Sequence, residues 1–250
     1  MIVKASANPS APSRAAWAAN AMGLLAERGY PVPALLWRGA LDERWFVVVQ
    51  ARLPGQPLRT LDAPTLDRLL ALVDLQAGQA PRLGEGGWDL SWWIGVVLFQ
   101  GWEHWWDAAQ AAAPQTSRRL RAFLEPAWGH RLPATDLVHG DLNLTNVLAA
   151  DDVVSGVVDW DHVGVGCRAV DLAGLLLDWH RLRLGNAQGL TPDGAERLVG
   201  RIVQIAGEQG LRCVVAYGAV AGLGLAAQRN EADALWTWRH AVDLLLDSMQ

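Results

Sequence analysis

A chain of 250 residues with 51 % apolar and 19 % charged side chains is long and apolar enough for a substantial core, which excludes a disordered protein. Its net charge of −5 excludes nucleic acid as the main partner, because phosphate contacts need a basic surface, and is compatible with a cationic small substrate. Two cysteines, Cys167 and Cys213, give neither a disulfide framework nor zinc-ligand spacing, so a cytoplasmic location is expected.

Met1-Ile2-Val3 runs directly into Lys4, without the pattern of a signal peptide. Residues 1–4 read as the end of a strand. Pro12 and Ser13 open a helix over 12–28, with Trp17, Leu24 and Leu25 on its apolar side and Gly29 as its stop. Two strand-like runs follow at 35–37 and 45–50, joined by a turn at 39–43. The Pro- and Gly-rich segment 52–57 then reads as a connector between a small lobe, residues 1–55, and a larger one, residues 56–250.

Beyond the connector the pattern becomes helical. Leu66, Leu69, Leu70 and Val73 recur at i, i+3, i+4 and i+7, which marks an amphipathic helix. Further helices are predicted over 88–113, 116–128, 168–183, 193–209, 211–228 and 231–248. The longest apolar run, 213–227, falls short of the roughly 20 residues that span a bilayer, so no membrane partner is expected. Tryptophans 92, 93, 102, 105 and 106 can be core residues at helical spacing or a wall for a cationic substrate through cation–π contact.

One stretch of the larger part is strand-like, and it carries the chemistry. Residues 137–173 contain His139-Gly140-Asp141, then Asn146, then Asp159 after an apolar run, then Asp171. Asp141, Asn146 and Asp159 offer hard oxygen atoms on two short segments able to pair as a hairpin. Oxygen ligands suit magnesium, which is shared with substrate phosphates. Asp161 could add to a metal shell, face a substrate or simply be solvated.

The HGDLxxxN run at 139–146, the VVDWD run at 157–161 and the DLA run at 171–173 resemble the aminoglycoside phosphotransferase and choline kinase superfamily, small-molecule relatives of the protein kinases. The resemblance implies an α+β, protein-kinase-like bilobal fold with a truncated N-terminal β lobe and a mostly helical C-terminal lobe. It implies transfer of phosphate from ATP or GTP, with Mg2+, to a hydroxyl group of a small molecule such as an aminoglycoside, a choline-like compound or another metabolite. Asp141 would then be the general base, and Asn146 and Asp159 the magnesium ligands. His139 and Asp171 would brace the catalytic loop. Lys4 would grip the α- and β-phosphates. It is the sole lysine among 21 basic residues, and a compact ammonium suits that task. The adenine would meet the backbone at Gln50, Ala51 and Arg52.

Two parts that the resemblance implies are not found. A kinase-like lobe begins with two strands and a phosphate-covering loop, whereas three residues precede Lys4. The only glycine cluster, 84–87, comes far too late in the order. The helix after Lys4 should carry a glutamate, yet no acidic residue occurs between Lys4 and Glu27; Asn20 stands at a plausible position. Either the true start lies upstream of Met1 or the lobe is reduced. The competing expectation is therefore a catalytically weak, kinase-like binding protein without the glycine-rich loop. A metal-dependent hydrolase is disfavoured, since no second group of ligands is spaced to complete it. The sequence leaves the acceptor and the oligomeric state open.

Overall fold

The structure, a computed structural model, describes residues 1–83, 87–100, 104–151, 153–185 and 190–249. Three of the first fifty residues' segments alternate and pair as strands. β1 (Ile2–Ser6), β2 (Leu35–Ala40) and β3 (Phe46–Gln50) form an antiparallel sheet in the order β1-β3-β2, and the register sets Lys4 opposite Val48. Between β1 and β2 runs α1 (Ala11–Ala26), started by Pro12 in its first turn, where a missing N–H costs nothing. Its buried residues, Ala21, Met22 and Leu25, hold it to the molecule.

The connector does more than link. Its residues Gln56–Pro57 form a short strand, β4, which pairs with Ala149 and Leu148. The Ser155 hydroxyl also donates to the Pro54 carbonyl at 2.6 Å. The segment is thus fastened to the central hairpin, which the expectation of a plain linker missed.

α2 (Ala63–Leu75) is capped by Asp62, which accepts from the Thr65 N–H at 2.9 Å, and it buries Leu66, Leu69 and Val73. Where one helix was expected over 88–113 there are two, α3 (Leu90–Phe99) and α4 (His104–Ala112). Residues 101–103, including the expected Trp102, lie outside the described residues, as does most of the glycine cluster. α5 (Pro114–Leu124) ends in a tighter turn at Glu125–Ala127.

Four strands then build the centre: β5 (Asp136–Val138), β6 (Val147–Ala150), β7 (Val153–Val157) and β8 (Gly164–Gly166). β6 and β7 pair as the anticipated hairpin, with Val147 opposite Val157. β5 pairs with β8, setting Val138 against Gly164. The two loops that leave these pairs are consequently brought side by side.

α6 (Ala169–Leu184), α7 (Gly194–Gln228) and α8 (Ala232–Ser248) pack together behind them. Gly207, at φ 72° and ψ 175°, breaks α7 in two, close to the expected division. By length and composition α7 could cross a membrane, but 67 % of its apolar window is buried inside the protein, which makes it a core helix. α6 approaches the central loop with no room to spare. A Cβ on Gly174 would stand 2.3 Å from the Leu142 carbonyl oxygen, so only glycine permits this contact.

Two predictions follow from α6. Gly174→Ala must push helix and loop apart, and urea unfolding should show a loss of about 1–3 kcal/mol, the usual cost of overpacking. His180 is fully buried with neither ring nitrogen hydrogen-bonded, and burial, aided by Arg183, pushes its pKa from 6.5 down to about 4. The unfolded chain therefore takes up this proton first. Stability should fall as pH drops from 6.5 towards 4, by about 1.4 kcal/mol per unit for one proton, and His180→Leu should flatten that slope.

Candidate active site

The site starts from β5, whose three residues are all buried and deliver the chain to His139. His139 is itself fully buried. Its Nε2–H donates to the Val158 carbonyl at 2.8 Å, which leaves Nδ1 to accept the Asp141 N–H at 3.3 Å. The ring edge meets Trp160 at 4.6 Å. One histidine thus ties the loop after β5 to the loop after β7.

Gly140 follows in the left-handed region, φ 78°, and a Cβ there would lie 2.4 Å from the His162 carbonyl oxygen. The backbone at this corner is held by Asp171, from the first turn of α6. Its two carboxylate oxygens accept the N–H groups of His139 at 2.8 Å and Gly140 at 2.9 Å, and Gln76 Nε2 donates a third bond at 2.8 Å. Burial raises the Asp171 pKa, against the pull of His139 and these donors.

Asp141 emerges exposed at the end of this corner. The Asn146 amide donates to its backbone carbonyl at 2.9 Å and to Oδ2 at 3.3 Å, while Asn143 Nδ2 reaches Oδ1 at 3.2 Å. Asn143 also caps the turn Leu144–Asn146, its side-chain oxygen accepting from the Thr145 N–H at 3.0 Å and the Asn146 N–H at 3.2 Å. Behind the turn, buried Asp178 accepts the Leu144 N–H at 2.8 Å and an Arg181 bond at 2.9 Å. The sequence reading passed over Asn143 and Asp178. A signal was available: Asn before a short Thr-Asn turn is a capping pattern, and Asp178 lies two helical turns after Asp171, on the same face.

Asp159 lies at the far end of the hairpin, adjacent to Val158, whose N–H donates to the Asn146 carbonyl at 2.9 Å. Asp159 adopts φ 67° and ψ 56°, a left-handed conformation that Asp tolerates better than most residues but at a cost of about 1–3 kcal/mol. Lys4 reaches across from β1 and ion-pairs with Asp159, and with Asp161 at 3.1 Å. For Lys4, burial lowers the pKa, but the Asp159 hydrogen bond and the Asp161 charge outweigh it and the net shift is upward. For Asp159, burial works upward and the bond to Lys4 prevails, lowering the pKa. Asn20 is on the exposed face of α1 and Glu27 is taken by Arg82 at 2.8 Å.

A cavity of about 270 Å3 opens beside Lys4, bounded by Val48, Gln50, Met22, Trp160 and Asp161. Gln50 closes β3; the Ala51 N–H already donates to the Ala34 carbonyl at 2.8 Å, and Arg52 is exposed. A larger, more open groove of about 610 Å3 lies on α3, α4 and α5, and of the residues named from the sequence only Trp106 lines it. Tyr217 of α7 lies within electrostatic reach of Asp141. Burial pushes its hydroxyl up to about 12, the Asp141 charge adds to the shift, and a Trp93 hydrogen bond opposes it. The Trp105 ring lies 6.2 Å from the Tyr217 ring. Trp106 is instead a core residue, its indole N–H bonded to the Val97 carbonyl at 3.2 Å, and Trp92 is exposed.

Among the described residues no group of three or more His, Cys, Asp and Glu side chains converges to hold a metal ion. The donors present are one carboxylate, Asp159, and one amide oxygen, Asn146, joined through the Val158–Asn146 backbone bond. With the Asn146 Nδ2 turned to Asp141, its Oδ1 is left as the acceptor. That set fits magnesium, which takes one or two protein ligands and completes its shell from phosphates and water.

The chain is similar to known small-molecule kinases and phosphotransferases. Two curated relatives are homoserine kinases. One, from Rhodospirillum rubrum, is 37 % identical over 86 residues, covering 32 % of this chain and 26 % of the relative. The other, from Sinorhizobium medicae, is 30 % identical over 171 residues, covering 62 % of this chain and 49 % of the relative. The matches thus span about a quarter and about a half of those enzymes. Among solved structures, the apo form of a thermostable mutant of aminoglycoside phosphotransferase APH(4)-Ia superposes with TM-score 0.73 at 16 % identity, over 98 % of this chain and 86 % of that one. The macrolide 2'-phosphotransferase MphH from Brachybacterium faecium gives 0.57 at 20 % identity, over 96 % and 83 %. These likenesses establish the α+β bilobal fold. A family model described as "Phosphotransferase enzyme family" matches residues 1–199, and the chain belongs to that family.

Proposed function

We propose that the protein is an ATP- and magnesium-dependent kinase acting on a hydroxyl group of a small molecule. The observation that carries this is the exposed Asp141 carboxylate, each of its oxygens held by an asparagine amide, beside an Asp159 that is paired with the sole lysine. A solved APH(4)-Ia complex with ADP and hygromycin B shares the fold and supports a nucleotide and a small acceptor as the two substrates.

In this reading the acceptor hydroxyl approaches Asp141, which takes its proton as the oxygen attacks the γ-phosphorus. A new P–O bond forms, the bond to the β-phosphate oxygen breaks, and ADP leaves. The amides of Asn143 and Asn146 fix the base so that one carboxylate lone pair faces the acceptor. Asn146 and Asp159 would hold magnesium, which when bound neutralises charge on the transferring phosphates. Lys4 would move its bond from Asp159 to the α- and β-phosphates. The adenine would use the Ala51 carbonyl and the backbone about Arg52, because the Ala51 N–H is already bonded. Asp171 and His139 would act through the loop and touch neither substrate. Trp93, Trp105 and Tyr217 would form the acceptor's wall on the helical side.

Asp141→Ala should lower kcat by about 10²–10⁴-fold, the usual worth of a general base, while nucleotide affinity measured by calorimetry stays within a few-fold. Transfer retained at parental rate would remove the base assignment. ATP with magnesium should raise the Tm of the parent protein, and Asp159→Ala should abolish the magnesium-dependent part of that rise. A panel of hydroxylated amino acids, choline-like amino alcohols, aminoglycosides and macrolides with labelled ATP identifies the acceptor. Neither nucleotide-dependent stabilisation nor turnover on any of them would sink the kinase reading.

A further inference from the structure

The family resemblance expects Lys4 to be held by a carboxylate on the next helix, and α1 has none. Its face toward the Lys4 cavity consists of Ala11, Arg14, Ala15, Ala18 and Met22, spaced 3, 1, 3 and 4 residues apart as one helical stripe. Ala18 fills the middle of that stripe with a methyl group. The two carboxylates that do reach the lysine come from the opposite side, from the loop after β7.

These two cannot serve alike. If Asp159 holds magnesium, its bond to Lys4 competes with the metal, and the ammonium needs a partner outside the metal's shell. Asp161 meets that need at 3.1 Å. It is well anchored, since it sits in the turn Trp160–His162, whose Trp160 is 1 % exposed and donates its indole N–H to the Val157 carbonyl at 2.8 Å. The His162 carbonyl packs on Gly140 in the same turn. Asp161 is therefore tied to the catalytic corner.

We infer that Asp161 is the positioning residue for Lys4, a carboxylate supplied by the metal loop in place of one on the helix. The inference rests on the kinase reading for its effect on turnover, though the contact itself does not. One consequence is structural: the lysine is set by the same loop that carries Asp159.

Lys4 being the sole lysine gives a direct probe, because tag-free protein grown with lysine labelled at Nζ yields one ammonium signal. Asp161→Asn should speed hydrogen exchange at that signal about two- to fivefold, with and without a non-hydrolysable ATP analogue and magnesium, the range for an ion pair with an exposed partner. In turnover the same change should raise the KM for ATP about two- to fivefold and affect kcat less. Asp161→Glu should keep most of both, and Asp161→Asn combined with Ala18→Glu should recover part of the loss by restoring a carboxylate from the helix side. Unchanged exchange and an unchanged KM in Asp161→Asn would overturn the inference while leaving the kinase reading intact. A loss that Asp161→Glu and Ala18→Glu both fail to restore would also overturn it. If the parent protein shows no turnover, the kinase reading falls, and the ammonium signal alone decides whether Asp161 holds Lys4.

Discussion

The buried carboxylate of Asp171 is the constraint on which the centre of this molecule depends. It accepts the backbone N–H groups of His139 and Gly140 within the protein. Leaving such donors unpaired would cost about 1–3 kcal/mol each, so the loop has strong reason to follow the helix. Because Asp171 sits in the first turn of α6, the helix start also favours its negative charge. The corner at Gly140 can then turn sharply against His162, and Asp141 comes out into the open at a fixed place.

The same logic extends outward through shared groups. His139 bonds the loop after β5 to the loop after β7 through Val158, and Val158 in turn bonds Asn146. Asn146 bonds back to Asp141. This closed ring of hydrogen bonds joins the proposed base Asp141 to Asn146 and His139, with Asp159 next in sequence to Val158. It also explains why the hairpin lies between Asn146 and Asp159: its register, Val147 against Val157, is what makes the two ends neighbours. Strain at Asp159, in the left-handed region, is then carried by a loop held at several points.

Much of this was legible in the sequence because it is local. The HGD corner, the hairpin and the helix that starts near Asp171 are written in adjacent residues, and so are the amphipathic stripe of α2 and the division of α7 near Gly207. Other features depend on approach in space, and periodicity does not report them. Gly174 reads as a neutral helix residue until Leu142 is found against it. Asp178 reads as a solvated charge, yet it is buried under the Leu144 N–H. The connector was read as a linker because two residues of strand are too short to alternate, and β4 exists only through its partner β6. The expected single helix at 88–113 overlooked Gly101, which follows the end of α3 in the sequence and is a stop signal. Asn20 was placed by counting from Lys4, which fixes distance along α1 but not the direction in which the helix turns its face.

That last error bears on how the site is assembled. On a helix, a residue two positions away points roughly the opposite way, so a count alone puts the lysine's partner on Asn20 when the inward stripe runs through Ala18. With an alanine there, the helix offers the lysine no carboxylate at that position, and its two acidic partners come from the loop after β7. Two carboxylates meet one ammonium at that corner, and the Arg14 guanidinium of α1 lines the same cavity. In the proposed reading a divalent cation would take Asp159 and leave Asp161 with Lys4. Labour would then be divided between two acids two residues apart, the strained Asp159 serving the metal and the exposed Asp161 the lysine.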